Sequence, residues 1–182
     1  MTLRSATMAD IPALRVLIEA SVRGLSVGFY TPAQINAALK EVFGVDSQLI
    51  ADGTYFVIEE ARGIVAAGGW SKRLTLFGGD QMKGAEDRCL DPATEPARLR
   101  AFFVHPDCGR RGLARQLYAR CASSAHAAGF QAFELMATLP GEPLYTVLGF
   151  HALERVVVTL AGGVEIPFVH MHCRLVQTHG SG

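Results

Sequence analysis

The sequence is poor in cysteine and lacks any pair of cysteines at a metal-binding spacing. The four cysteines are far apart, at Cys89, Cys108, Cys121 and Cys173. The absence of a C-x-x-C motif argues against a zinc cage and against a disulfide framework. Free thiols suit a reducing compartment. The sequence therefore predicts no metal ion, and we expect a cytoplasmic location.

An excess of charge and a long apolar run are also missing. Seventeen Lys and Arg residues balance seventeen Asp and Glu residues, so no overall field would attract nucleic acid or an anionic membrane. No uninterrupted apolar run approaches the roughly 18 residues of a membrane span, and Met1 to Asp10 holds no signal-peptide core. We expect neither a nucleic-acid partner nor a membrane partner, and any basic site must be local.

What the chain does have is apolar residues at regular spacing. With 49% hydrophobic and 19% charged residues over 182 positions, it has the composition of one globular domain. We expect this domain to span residues 1–177, followed by a flexible polar tail at 178–182.

The apolar periodicity predicts strands that alternate with helices. The predicted strands are 2–6, 55–59, 64–70, 98–104, 132–137, 151–160 and 164–174. The predicted helices lie near 11–22, 32–43, 113–128 and 143–148. Residues 71–96 are too irregular for a regular element and predict a flexible or substrate-facing loop. The interleaved elements favour a mixed α/β sandwich.

One segment carries recognisable chemistry, because residues 104–114 join a buried strand directly to a helix. Backbone N–H groups at a helix N-terminus are unpaired and lie at the positive end of the dipole. Gly112 and Ala114 keep this turn bare, so phosphate oxygens can approach the N–H groups. Its rim carries three guanidinium groups: Arg110, Arg111 and Arg115. The turn predicts a phosphate-bearing ligand, and a solvated arginine cluster is the alternative interpretation.

Two common nucleotide-binding patterns do not fit this turn. G-x-x-x-x-G-K-[ST] needs a lysine and a hydroxyl residue that are absent here, and G-x-G-x-x-G is absent too. Nucleoside triphosphates and NAD are therefore disfavoured as ligands.

The segment resembles the acetyl-CoA motif of the GNAT superfamily of N-acetyltransferases, V-x-P-x-x-[QR]-x-x-G-x-[GA]. Val104, Pro106, Gly112 and Ala114 match it, while Gly109 stands where the family usually has Gln or Arg. The resemblance extends over nearly the whole chain. It implies one acyltransferase domain with a mixed, mostly antiparallel sheet of about seven strands and about four flanking helices.

The resemblance also implies acetyl-CoA as the co-substrate. Its pyrophosphate is expected on the turn, at Gly109, Arg110, Arg111, Gly112, Leu113, Ala114 and Arg115. In the family, the pantetheine arm bonds along the free edge of the preceding strand. This assigns main-chain contacts to Phe103 and Val104, with the Val104 N–H as the oxyanion donor.

Acetyl transfer by direct attack of an amine needs a proton donor near the sulfur. Tyr145 matches the family's tyrosine that faces the cofactor sulfur, which implies the acid role; a packing tyrosine is the alternative. Glu134 and Asp80 are the acidic candidates for the general base, although an exposed strand carboxylate explains Glu134 as well. His170 and His172 share one strand face without an obvious third ligand and are interpreted as structural.

The acceptor site is expected at Phe29, Tyr30 and Trp70, because the corresponding segments border it in the family. Core packing is the alternative for each. The acceptor itself is an unidentified amine of a small molecule or a protein. An exposed terminal hairpin would suit a homodimer. The missing family residue at Gly109 motivates a second function, a non-catalytic acyl-CoA sensor.

Overall fold

The computed structural model describes residues 1–82, 84 and 87–175. The predicted tail at 178–182 and the end of the predicted 1–177 domain lie outside these residues. Within them, seven strands form a single sheet in the order β1-β2-β3-β4-β5-β7-β6. The strands are β1 (Thr2–Ser5), β2 (Tyr55–Glu60), β3 (Gly63–Ser71), β4 (Ala97–Val104), β5 (Ala132–Thr138), β6 (His151–Thr159) and β7 (Glu165–Arg174).

Five α-helices accompany the sheet in the described part of the chain. They are α1 (Ile11–Leu25), α2 (Pro32–Glu41), α3 (Ser47–Ala51), α4 (Leu113–Ala127) and α5 (Glu142–Val147). α3 was not predicted from the sequence; it is a helix of 5 residues whose N-cap, Asp46, accepts from the amides of Gln48 and Leu49. None of the helices within these ranges is long and apolar enough to cross a bilayer.

The predicted mixed sheet, mostly antiparallel with about seven strands, is confirmed. Each of its faces is covered by helices and has its own core. Leu14, Leu17 and Ile18 form a stripe on α1 that packs with α2 and α3 on one face. Leu113 and Leu117 of α4 pack on the opposite face. Full burial of such a side chain stabilises the fold by about 1.5–3 kcal/mol.

A bulge interrupts β4 in the middle of the sheet. Ala101 and Phe102 lie opposite Gly68 of β3, because the register shifts between Ala67 and Gly69. Ala101 has a φ of 55°, a left-handed conformation that is costly for a residue with a side chain. The Tyr55 hydroxyl donates to the Ala101 carbonyl at 3.1 Å and stabilises the bulge.

β4 and β5 part after Arg98, before the bulge is reached. These two strands are parallel, and their pairing consists of Ala97 with Phe133 and Arg98 with Glu134. β4 nevertheless continues to Val104 and β5 to Thr138. The two strands therefore form a V, and the gap between its arms opens toward the turn that precedes α4.

Candidate active site

The turn before α4 presents a row of backbone donors. Gly112 is the N-cap of α4 and has a φ of 79°, a conformation that glycine adopts without strain. The amides of residues 110–115 find no acceptor among the described residues. A Cβ built on Gly112 meets no atom within 4 Å. The turn is open at the point where six amides are unsatisfied, and it fits a diphosphate.

The three arginines of the turn have different surroundings. Arg110 and Arg115 are exposed and form no ion pair within the described chain. Arg111 instead donates to Glu60 at 2.6 Å and to the buried thiol of Cys108 at 3.4 Å. This contact lowers the pKa of the Glu60 carboxyl. The expectation that all three guanidinium groups face a ligand is therefore corrected for Arg111, which is already paired.

The edge of β4 that borders the gap is partly occupied. The Val104 amide donates to the Ser21 hydroxyl of α1 at 3.2 Å, so the predicted oxyanion donor already has a partner. The His105 amide donates to Val65 at 2.9 Å. Because antiparallel bonds alternate along a strand, the main chain of Phe103 faces β3 rather than the gap. The predicted main-chain contact of Phe103 is therefore corrected.

Tyr145 lies in α5, on the same side of the sheet as α4. Its ring packs against Phe102 at a centroid distance of 6.4 Å and against Phe150 at 5.7 Å. The ring borders the gap together with Thr138 of β5. Among the described residues, none forms a hydrogen bond with the Tyr145 hydroxyl. Burial raises the pKa of Tyr145 above its ordinary value, so the phenol stays protonated.

The part of the sequence that forms this site matches the sequence model of a protein family. That family is described as an acetyltransferase (GNAT) domain, and the match covers residues 79–175, more than half of the chain. The chain belongs to the GNAT acetyltransferase family. The aligned region includes the open turn, both arms of the V and Tyr145, so the resemblance seen in the sequence is confirmed.

Solved structures share the fold of this GNAT domain. A GCN5-related N-acetyltransferase from Rhodopseudomonas palustris is similar at a TM-score of 0.70 and 19% identity, covering 96% of this chain and 95% of that one. The paia N-acetyltransferase from Thermoplasma acidophilum, solved with coenzyme A, has a TM-score of 0.63 and 10% identity, covering 95% and 98%. The protein yncA from Salmonella typhimurium, solved with acetyl-CoA, has a TM-score of 0.62 and 18% identity, covering 97% and 95%. No curated protein matches the chain.

In this GNAT domain, Glu134 lies at the closed end of the V, where β4 and β5 still pair. Its Oε2 accepts from Arg98 at 2.6 Å and lies 3.1 Å from Nε2 of His170. Nδ1 of His170 lies 3.6 Å from Glu154. Glu134 is therefore part of a charged cluster rather than an isolated exposed carboxylate. Oε1 of Glu134 has no partner in the described part of the chain.

The three predicted acceptor-site aromatics do not border the gap. Trp70 is 3% exposed and packs edge-on against Phe130 at 5.7 Å, in the core beneath α4. Tyr30 is also buried, and burial raises its pKa to about 12. Its hydroxyl donates to Pro167 at 2.7 Å and accepts from the Leu139 amide at 2.9 Å. These contacts correct the prediction, since both residues are structural.

Phe29 is 51% exposed in the connection before α2. It is not one of the residues that border the gap in the described structure. The acceptor role of Phe29 therefore stays a prediction.

Three other aromatic residues, which were not predicted from the sequence as site residues, border the gap. On the α1/α2 side the gap is bordered by Phe43 after α2, Phe77 after β3 and Phe168 of β7. Arg100 of β4 also borders it, and its side chain is 2% exposed beside Asp46 at 2.9 Å. Only the predicted substrate-facing role of residues 71–96 pointed toward this wall.

Proposed function

We propose that this GNAT domain is an N-acetyltransferase that moves the acetyl group of acetyl-CoA onto an amine by direct attack. The supporting observation is that the open amides of residues 110–115 and the Tyr145 hydroxyl lie on the same side of the V. A diphosphate on the turn would therefore direct the rest of a coenzyme toward Tyr145. Two of the similar proteins were solved with coenzyme A or acetyl-CoA, which supports the same ligand here.

The residues proposed to hold the diphosphate act mainly through their main chain. The amides of Gly112, Leu113 and Ala114 point out of the N-terminus of α4, where the helix dipole favours an anion. Arg110 and Arg115 add positive charge from the rim. The family's usual Gln or Arg at position 109 is missing, but the amide donors do not depend on that side chain.

The proposed acid is the hydroxyl of Tyr145. When bound, acetyl-CoA supplies the thioester carbon that the amine attacks. Oη of Tyr145 donates its proton to the departing sulfur. The raised pKa of Tyr145 keeps this proton on the phenol across the neutral range.

A proton must also leave the attacking amine. We assign this step to Oε1 of Glu134 acting through water, because Glu134 lies where the V closes and is not one of the residues that border the gap. Arg98 and His170 hold Oε2 of the same carboxylate, which fixes the orientation of the group. Glu134 faces the α1/α2 side of the sheet, opposite Tyr145, so that the two proton transfers are separated in space.

The test compares two tyrosines on the same side of the sheet. Tyr145→Phe should lower kcat for thiol release about 100-fold or more, the usual size of a general-acid effect. Calorimetry should find its Kd for acetyl-CoA within twofold of wild type. Tyr118→Phe is the matched control, because the Tyr118 hydroxyl lies 4.0 Å from Cys173 Sγ in the core. Its kcat should not change.

The pH profile gives a second measurement on the same variants. Because the pKa of Tyr145 is raised from its ordinary value of 10.0, its protonated form persists to higher pH. Activity should therefore rise as the amine deprotonates, without an alkaline fall below pH 10. Acetyl-CoA binding without thiol release across a broad amine panel would support the sensor function instead. Absence of acetyl-CoA binding would contradict both functions.

A further inference from the structure

We infer that the acceptor is a primary amine carried on an apolar body, aryl or alkyl, which enters the V from the α1/α2 side. This inference rests on the proposed acetyl transfer and names the class of its second substrate. The contact surface is the aromatic wall, defined as Phe43, Phe77, Phe103 and Phe168.

The side of entry follows from the positions of the turn and Tyr145. Both lie on the α4 side of the sheet, so a coenzyme held by the turn fills the gap from that side. An acceptor must then approach from the opposite side, which is covered by α1 and α2. The residues that border the gap there determine which amines fit.

Those residues are mainly aromatic rings in mutual contact. Phe168 packs against Phe43 at a centroid distance of 6.2 Å and against Phe77 at 5.8 Å. Phe43 also meets Phe103 edge-on at 6.3 Å. Met136 of β5 borders the gap beside these rings. Burial of an apolar group against this surface is favourable by about 25 cal/mol per Å².

The wall is held in place before any ligand binds. The Gly79 amide donates to the Val42 carbonyl at 2.8 Å, and Arg100 donates to the Gly78 carbonyl. The first bond holds the segment that carries Phe77 against the end of α2, and the second holds it against β4. A preformed surface loses little conformational entropy when an acceptor binds.

Charge is scarce at the same surface. The residues that border the gap in the described structure include no carboxylate, and their one charged side chain is Arg100. Asp46, with a side chain 1% exposed, lies 2.9 Å from Arg100 and neutralises it. The proposed base, Glu134, lies at the closed end of the V. A second ammonium group held against the aromatic wall would therefore lose its water without gaining a partner there, which is costly. Polyamines are therefore disfavoured as acceptors.

The test measures thiol release from full-length protein at saturating acetyl-CoA. The acceptors are 2-phenylethylamine and hexylamine, compared with spermidine and with a peptide that begins with alanine. We expect kcat/KM for the two apolar amines to exceed that for spermidine and the peptide at least tenfold. Higher kcat/KM for spermidine or the peptide would overturn this inference and leave the proposed acetyl transfer standing.

A pair of variants in one segment tests the wall itself. Phe77→Leu should raise KM for 2-phenylethylamine about fivefold or more, with the Kd for acetyl-CoA unchanged. Leu74→Ala is the matched control, because Leu74 is 40% exposed on the same segment and does not border the gap. Equal KM values for the two variants would overturn the role of the wall. If the wild-type protein does not bind acetyl-CoA, the proposed function itself is contradicted.

Discussion

The two sides of the V are built from residues with different spacing in the chain. On the α4 side, the amides proposed to bind phosphate come from six consecutive residues, 110–115. On the α1/α2 side, the aromatic wall joins residues of four separate segments: Phe43, Phe77, Phe103 and Phe168. The first side is a local structure, whereas the second depends on the assembled tertiary fold.

This difference divides the functions of the two sides. A turn that binds through backbone amides tolerates changes in most of its side chains, so it can keep one cofactor while the sequence varies. A wall of rings from separate segments changes its shape whenever one segment changes. We therefore expect cofactor binding and acceptor choice to respond to different substitutions.

The largest expected effect concerns the support of the aromatic wall. Asp46→Asn removes the carboxylate that lies 2.9 Å from the buried Arg100 guanidinium and should lower the free energy of unfolding by about 3 kcal/mol. Denaturant unfolding measures the change. Glu19→Gln is the control, because Glu19 and its partner Arg23, 3.0 Å away, have side chains 61% and 50% exposed. It should cost about 1 kcal/mol or less, and equal costs would contradict the distinction.

The second prediction separates cofactor binding from backbone strain. Gly112→Ala places a methyl group where phosphate oxygens are expected, and should weaken acetyl-CoA binding about 10- to 100-fold by calorimetry. Gly162→Ala is the control, since Gly162 has φ 75° and ψ 10° against 79° and 8° at Gly112. Both should cost roughly 1–2 kcal/mol of stability. Equal Kd values in the two variants would show that the turn does not bind the cofactor.

The smallest expected effect concerns Arg111. Glu60→Gln removes the carboxylate that pairs with this arginine at 2.6 Å and frees the guanidinium near the turn. We expect the Kd for acetyl-CoA to fall about two- to threefold at low salt, with the gain lost at high ionic strength. Glu59→Gln, on the neighbouring residue that pairs with Arg4, is the control. A higher Kd for acetyl-CoA in Glu60→Gln would mean that the Arg111–Glu60 pair itself supports the turn.

The sequence predicted the α4 side better than the α1/α2 side for a physical reason. The turn and its helix are specified by neighbouring residues, so Gly112 and Ala114 can be recognised from their spacing alone. Trp70 was assigned to the wrong place because β3 is buried along most of its length. A strand buried on both faces has no polar alternation that distinguishes one face from the other.

Side-chain contacts between residues that are far apart in the sequence could not be predicted either. The distance between Ser21 and Val104 in the sequence does not indicate that the Ser21 hydroxyl accepts a hydrogen bond from the Val104 amide. Glu134 was recognised as an acidic residue on a strand, but its contacts with Arg98 and His170 require the pairing of three strands. α3 was missed because five residues carry too little periodicity to predict a helix.

Gly68 and Gly69 of β3 lie where the neighbouring strands leave no room for a side chain. A methyl group on Gly68 would lie 2.8 Å from the Phe102 ring, and one on Gly69 would lie 2.7 Å from the Thr54 carbonyl. The first contact would displace the Phe102 ring, which borders the gap, and the second would press β3 against β2. Gly68→Ala is therefore expected to change the shape of the gap from the neighbouring strand, although Gly68 does not itself border it.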